Sequence, residues 1–129
     1  MAHHEEGDIA AAVDEARRAL EAEPGHAGLR AYLGSTLVTR QGRFAEGLQE
    51  LERAREAAPM DPAIYYTLGW CYEFVAYRVS RRPSAGLRPG ELYRRAETYL
   101  RRCLELNPEG TIKDDAEDLL SSIIKEDVR

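Results

Sequence analysis

Apolar residues recur every three or four positions along most of the chain, and Pro and Gly cut the recurrence at spaced points. Ile9, Ala12, Val13, Ala16, Ala19 and Leu20 form a small-residue stripe that predicts a helix over about 6–22, stopped by Pro24-Gly25. A second helix is predicted over about 27–40 from Leu29, Tyr32, Leu33, Leu37 and Val38. Gln41-Gly42-Arg43 is a turn in which Gly42 can take a positive φ. A third helix, about 44–57, carries Phe44, Leu48, Leu51, Ala54 and Ala58 inward and closes at Pro59. So short a turn makes the second and third helices antiparallel neighbours. Asp61-Pro62 opens a fourth helix, about 61–81, because Asp is a good N-cap and Pro is tolerated at the first helical position. Residues 83–90 hold two Pro and two Gly and read as a loop. A fifth helix follows over about 90–106, with Leu92, Tyr93, Ala96, Tyr99, Leu100, Cys103 and Leu104 inward, ending at Asn107-Pro108. Thr111-x-x-Asp114 resembles a capping box and opens a sixth, to about Lys125, with Ile112, Ala116, Leu119, Leu120, Ile123 and Ile124 on one face. No run of alternating β-branched residues predicts a strand.

The fourth helix has two apolar faces. Tyr65, Leu68, Gly69 and Tyr72 have the spacing of a helix packed into its own hairpin. Tyr66, Trp70, Phe74 and Tyr77 fall on the opposite flank. A helix apolar on two sides has neighbours on both, or a neighbour and a ligand.

The pattern also repeats. Leu33-Gly34 recurs as Leu68-Gly69, and Pro24 as Pro59, each 35 residues later; Pro108 closes in the same way. Gly34 and Gly69 lack a side chain where two helices must cross closely, and small residues, Gly47 and Ala96, stand opposite. Tyr65-x2-Leu68-Gly69-x2-Tyr72, Ala96-x3-Leu100 and Pro108 resemble the tetratricopeptide repeat, as do Arg30-x2-Leu33-Gly34-x2-Leu37, Gly47-x3-Leu51 and Pro59. The resemblance covers about residues 7–108 and implies an all-α fold, a right-handed superhelical stack of antiparallel helix pairs with about six helices. Within one domain it divides the chain into an N-terminal half-repeat helix (6–24), a first repeat (26–59), a second repeat (61–108) and a C-terminal capping helix (110–126). In the last helix Leu120 stands where the repeat has glycine, which suits a terminal helix or one that docks outside the chain. The second repeat is about 14 residues longer between its helices, and this insertion, near 78–90, carries Arg78, Arg81, Arg82 and Arg88. Insertions of this kind map to one edge of a solenoid.

Composition narrows the function. Hydrophobic residues at 43% and charged residues at 32% fit a folded chain, and no apolar run is long enough to span a membrane. The N-terminus has no basic start followed by an apolar run, and His3-His4 reads as an exposed start or a tag remnant. The net charge of −5 argues against nucleic acid as the main partner. Yet residues 78–102 hold eight Arg against Glu91 and Glu97, a basic patch on an acidic body. Arg far outnumbers Lys and Ala is abundant, which points to a GC-rich bacterial genome. Cys71 and Cys103 lie at apolar positions without metal spacing, so buried thiols in a reducing, cytoplasmic setting are expected. No nucleophile–base pair, metal cluster or phosphate loop is visible, His26 reads as a surface residue, and no cofactor or catalytic role is expected.

In the family resembled, the first helix of each repeat lines a concave surface that binds peptides. The matching positions include Gly28, Ala31, Ser35 and Thr39, and Ala63, Tyr66, Trp70, Glu73 and Phe74. The Lys and Asn side chains with which some members clamp a C-terminal carboxylate are absent there. The expectation is a non-catalytic adaptor or scaffold subunit that takes a peptide or helix of another protein against Tyr66, Trp70, Glu73, Phe74 and Tyr77, flanked by Ser35, Thr39, Arg78, Arg81 and Arg82. The alternative is a self-assembling unit that forms homo-oligomers through open helical ends.

Overall fold

The computed structural model describes the backbone of residues 2–127 and the side chains of residues 6–125; His3 and His4 lie outside the described side chains. Six helices account for 80% of the chain, with no strand among the described residues. They are α1 (Ala2–Ala22), α2 (Ala27–Thr39), α3 (Phe44–Ala57), α4 (Pro62–Arg81), α5 (Pro89–Glu105) and α6 (Thr111–Asp127). Each predicted helix is present. α5 starts one residue earlier than expected, at Pro89, whose missing N–H costs nothing in a first turn. α6 starts at Thr111 itself, after Gly110 at φ 66°, and holds Asp114 in its first turn. The chain forms two compact units, residues 1–58 and 59–129.

In the first unit α2 and α3 form an antiparallel pair and α1 packs on α2. Gly42 turns the chain between α2 and α3 at φ 65°. The α1–α2 contact is built from Val13, Ala16 and Leu20 against Leu33 and Leu37, with Leu29 at its edge. The predicted stripes are corrected at two places. Ala19 is exposed, and Tyr32 is 49% exposed. Each directly precedes a buried Leu, and one residue turns a helix by about 100°, which carries both side chains off the packed arc. The α2–α3 crossing is as close as the glycines predict. A Cβ on Gly34 would lie 2.8 Å from the Gly47 carbonyl oxygen and 2.7 Å from Leu51 Cγ; one on Gly47 would lie 2.7 Å from the Gly34 oxygen.

The second unit repeats this pair as α4 and α5, with α6 packed on both. Gly69 takes the place of Gly34, and the atoms that fill its missing side chain's space are Leu100 Cγ and Cδ2, 2.5 Å from an ideal Cβ. Leu51 and Leu100 are both fully buried, so each Gly is capped by a Leu of the following helix. Here the close partner of Gly69 is Leu100 rather than the expected Ala96, although Ala96 is itself fully buried. Leu120 is only 9% exposed, between Ala116 and Ile123 on the face of α6 that meets α4 and α5. It therefore fills a packed position, whereas Lys113, Glu117 and Ile124 on the adjoining flank are exposed. The loop between α4 and α5 folds into a turn in which Leu87 N–H donates to the Ser84 carbonyl (3.2 Å) around Gly86 at φ 79°.

The two pairs differ at one register position. In the first unit Arg30 on α2 pairs with Glu50 on α3 at 2.9 Å and donates to the Pro24 carbonyl at 3.0 Å. Thirty-five residues on, Tyr65 donates through its hydroxyl to the Pro59 carbonyl at 2.9 Å. Its ring lies 5.9 Å from that of Tyr99, which holds the place of Glu50. An ion pair in one unit is thus an aromatic pair in the other, and both anchor the carbonyl of the preceding Pro.

Candidate functional site

The site is built on α4. Asp61 caps its start, accepting from the Ala63 N–H at 3.0 Å, and Pro62 follows. Apolar residues continue for five turns, so the helix reaches Arg81, whereas its counterpart α2 ends at Thr39. Tyr65, Leu68, Gly69 and Tyr72 are buried, as predicted for the hairpin face. Ile64, Cys71, Val75, Ala76 and Val79 are buried as well. Burial alone pushes the Cys71 thiol up to about 12, and it raises Cys103 too, so both stay protonated.

The other face is open in degrees. Tyr66, Trp70, Glu73 and Phe74 are half-buried, and Tyr77 is 49% exposed. α6 packs on α4 as well. Burial first, then the Asp115 carboxylate and Cys103, raise the Tyr66 phenol above its ordinary value, so it remains a donor. At its C-terminal end the helix becomes basic. The Arg78 guanidinium lies 4.7 Å from the centre of the Phe74 ring, and that of Arg81 lies 5.3 Å from the Tyr77 ring. Arg78, Arg81 and Arg82 are exposed. Among the described residues, Arg78, Arg81, Arg82, Arg88 and Arg94 form no ion pair, while Arg17, Arg30, Arg43, Arg53 and Arg55 of the first unit each have a Glu partner.

Stacking on a ring orients a guanidinium while leaving its N–H edge free to take a carboxylate. Tyr66, Trp70, Phe74, Arg78 and Arg81 therefore make one graded strip, from an acidic neighbour through aromatic rings to free cations. Ser35 and Thr39 belong to the first unit and are half-buried. Their hydroxyls already donate along their own helix, Ser35 to the Tyr32 carbonyl at 3.1 Å and Thr39 to the Ser35 carbonyl at 2.8 Å. Ala31, another position expected on the binding surface, is only 6% exposed.

Sequence reasoning did not find the effect of Asp115 on Tyr66, because α6 approaches α4 from a distant part of the chain. It placed the arginines beside the aromatic stripe but did not pair them with particular rings, although Phe74/Arg78 and Tyr77/Arg81 are both i,i+4 pairs and legible as neighbours. It read His26 as a surface residue, and His26 is exposed, but its capping of α2, with Nδ1 accepting from the Leu29 N–H at 2.9 Å, was not read. Among the described residues no group of His, Cys, Asp and Glu is arranged to hold a metal ion, and no helix is long and apolar enough to cross a membrane.

No curated protein matches the sequence. The family profile described as tetratricopeptide repeat matches residues 3–71, just over half of the chain. The match takes in nearly all of α1, the whole of α2 and α3 and the first half of α4, and it stops before the insertion that lengthens the second pair. The chain belongs to the tetratricopeptide repeat family, whose members generally act as protein–protein interaction modules.

Proposed function

We propose that this chain is a non-catalytic adaptor or scaffold subunit that holds a helix or extended segment of a partner protein against the Tyr66–Trp70–Phe74 face of α4. The observation that carries the reading is that face itself: three half-buried rings in line, running into an exposed Tyr77, on a helix whose opposite side is fully packed. Each ring keeps part of its area open. Covering up to about 80 Å² per ring at ~25 cal/mol per Å² contributes at most about 2 kcal/mol apiece. The gain per ring is modest because most of each ring is already packed. Three such rings with flanking hydrogen bonds are enough for a regulated, reversible contact. Glu73, lying on the same face, and Arg82 at the end of α4 would set the polar rim.

Trp70 is the only Trp in the chain, so its fluorescence reports this face directly. A partner isolated by affinity capture should shift the emission, and Trp70→Ala should weaken its capture while the far-ultraviolet circular dichroism stays helical. Equal capture by a folded Trp70→Ala variant would refute the groove.

A further inference from the structure

The partner's charge can be read from the same strip; the inference rests on the binding face just described. We infer that the segment held on α4 is an amphipathic stretch of a partner protein, apolar along its middle and acidic at the end that lies over Arg78 and Arg81.

Three observations carry it. First, the strip is polarised. The Asp115 carboxylate acts on the Tyr66 phenol at one end, and Arg78 and Arg81 stack on Phe74 and Tyr77 at the far end. A segment of uniform charge would be repelled at one end, whereas one with a neutral or basic start and an acidic finish complements both. Second, these cations are free. Arg78, Arg81, Arg82, Arg88 and Arg94 have no ion pair among the described residues, in a chain whose net charge is −5. Carboxylates are abundant on this chain, yet among the described residues none pairs with these five arginines, so the cluster is open to an outside anion. Third, the length is defined. Tyr66 to Arg81 spans roughly 22 Å at ~1.5 Å per residue, which fits about 15 residues of helix or about seven of extended chain. Stacked guanidiniums are already oriented, so little rotamer freedom is lost when each takes a carboxylate in a fork. A nucleic acid would bring its phosphates to a chain whose net charge is already −5.

The test titrates the intact chain with synthetic peptides of about 15 residues, matching that helical span, and reads Trp70 emission. The peptides carry Leu on one helical face and a Glu block at the N- or the C-terminal end; counterparts carry Lys in the block or lack the Leu face. At least one Glu-ended peptide should bind and shift Trp70. Its affinity should fall about tenfold or more when Arg78→Glu and Arg81→Glu are combined, the loss of two charge-assisted contacts, and should weaken as salt is raised. The Lys-ended and Leu-free peptides should bind at least tenfold more weakly, by the same charge and area arguments. Equal binding of the Lys-ended peptide overturns the inference, as does absence of binding by both Glu-ended peptides. Binding that needs Trp70 but is indifferent to the Arg reversals leaves the groove reading intact and sinks the acidic partner alone. Arg-dependent binding that Trp70→Ala leaves unchanged sinks the groove, and with it this inference. Tighter binding of a single-stranded oligonucleotide, or of phosphatidylserine vesicles, with the same Arg dependence reassigns the cations to a polyanion and overturns it.

Discussion

Replacing Gly34 by Ala tests whether the crossing of α2 and α3 is as tight as the structure implies. The new Cβ would sit 2.8 Å from the Gly47 carbonyl oxygen, 2.7 Å from Leu51 Cγ and 3.1 Å from Leu51 N. A carbon settles against a carbonyl oxygen at ~3.3–3.6 Å, so the two helices must part by roughly half an ångström. Two of the three obstructing atoms belong to backbone and cannot rotate away. Leu51 is fully buried and has little space to retreat into. Overpacking of this kind costs ~1–3 kcal/mol, and the backbone contacts place this site at the upper end. Ala gains about 1 kcal/mol over Gly in a helix interior. The net expectation is a loss of about 2 kcal/mol, or a fall in Tm of roughly 6–10 °C for a chain of this size. Urea unfolding followed by circular dichroism at 222 nm measures it. Gly7→Ala is the control: it lies in α1 with nothing within 4 Å of its added Cβ, so it should show the helix gain alone. Gly69→Ala should fall between the two, because its obstacle is only the Leu100 side chain, which can change rotamer at some cost. A Gly34→Ala protein as stable as the parent would refute the close-crossing argument.

Three further outcomes follow from the packing. Arg30→Ala should lose about 2 kcal/mol, because Glu50 stays 8% exposed with only Arg53 at 3.3 Å, whereas Arg30→Tyr with Glu50→Tyr, which copies the second unit, should lie within about 1 kcal/mol of the parent in the same urea assay. Cys71 keeps its proton in the fold up to about 12 but ionises near 9 when unfolded, so its contribution is complete below pH 9 and is lost as the pH rises from 9 toward 12. The loss is at most about 1.4 kcal/mol per pH unit, and Cys71→Ala should flatten the stability profile over that window. Light scattering should find a monomer: α1 exposes Glu6, Asp8, Asp14, Glu15 and Glu21, α6 exposes Asp114, Asp115, Glu117 and Asp118, and two acidic ends repel one another. A concentration-dependent mass would favour self-assembly through those ends instead.

The helices were legible because their signals are local. Asp61-Pro62 opens α4 and Pro24, Pro59 and Pro108 follow helix ends, each acting within a few residues of itself. The close crossings were legible for another reason: a glycine at a fixed place in two successive repeats has no helical purpose, since it weakens the helix that holds it. What failed was the edge of each stripe. Apolar character does not say which way a residue on the flank points, and Tyr32 and Ala19 were read inward although a turn of about 100° takes them out. At the candidate site the aromatic spacing was readable but its degree of exposure was not. That depends on α6, and neither Asp115 nor Tyr66 carries a sign of the other in the sequence.

The insertion explains why the basic end of the strip exists at all. In the repeat register Thr39, where α2 ends, corresponds to Phe74, and α4 continues through Tyr77, Arg78 and Arg81. Those three residues have no counterpart in the first pair, so the free cations and the most exposed ring are products of the added turns. A solvated extension would be the simpler account, yet the same turns bury Ala76 and Val79 completely or nearly so, and Leu92 packs at the start of α5. Burying a Val side chain is worth ~1.5–3 kcal/mol, enough to hold an added turn in helix rather than let it fray. One side of the extension thus fixes its conformation through packing, and the other presents Tyr77 and its stacked arginines at a set spacing. A loose loop of the same composition would supply the charge without the alignment, and alignment is what lets two guanidiniums engage two carboxylates of a single segment.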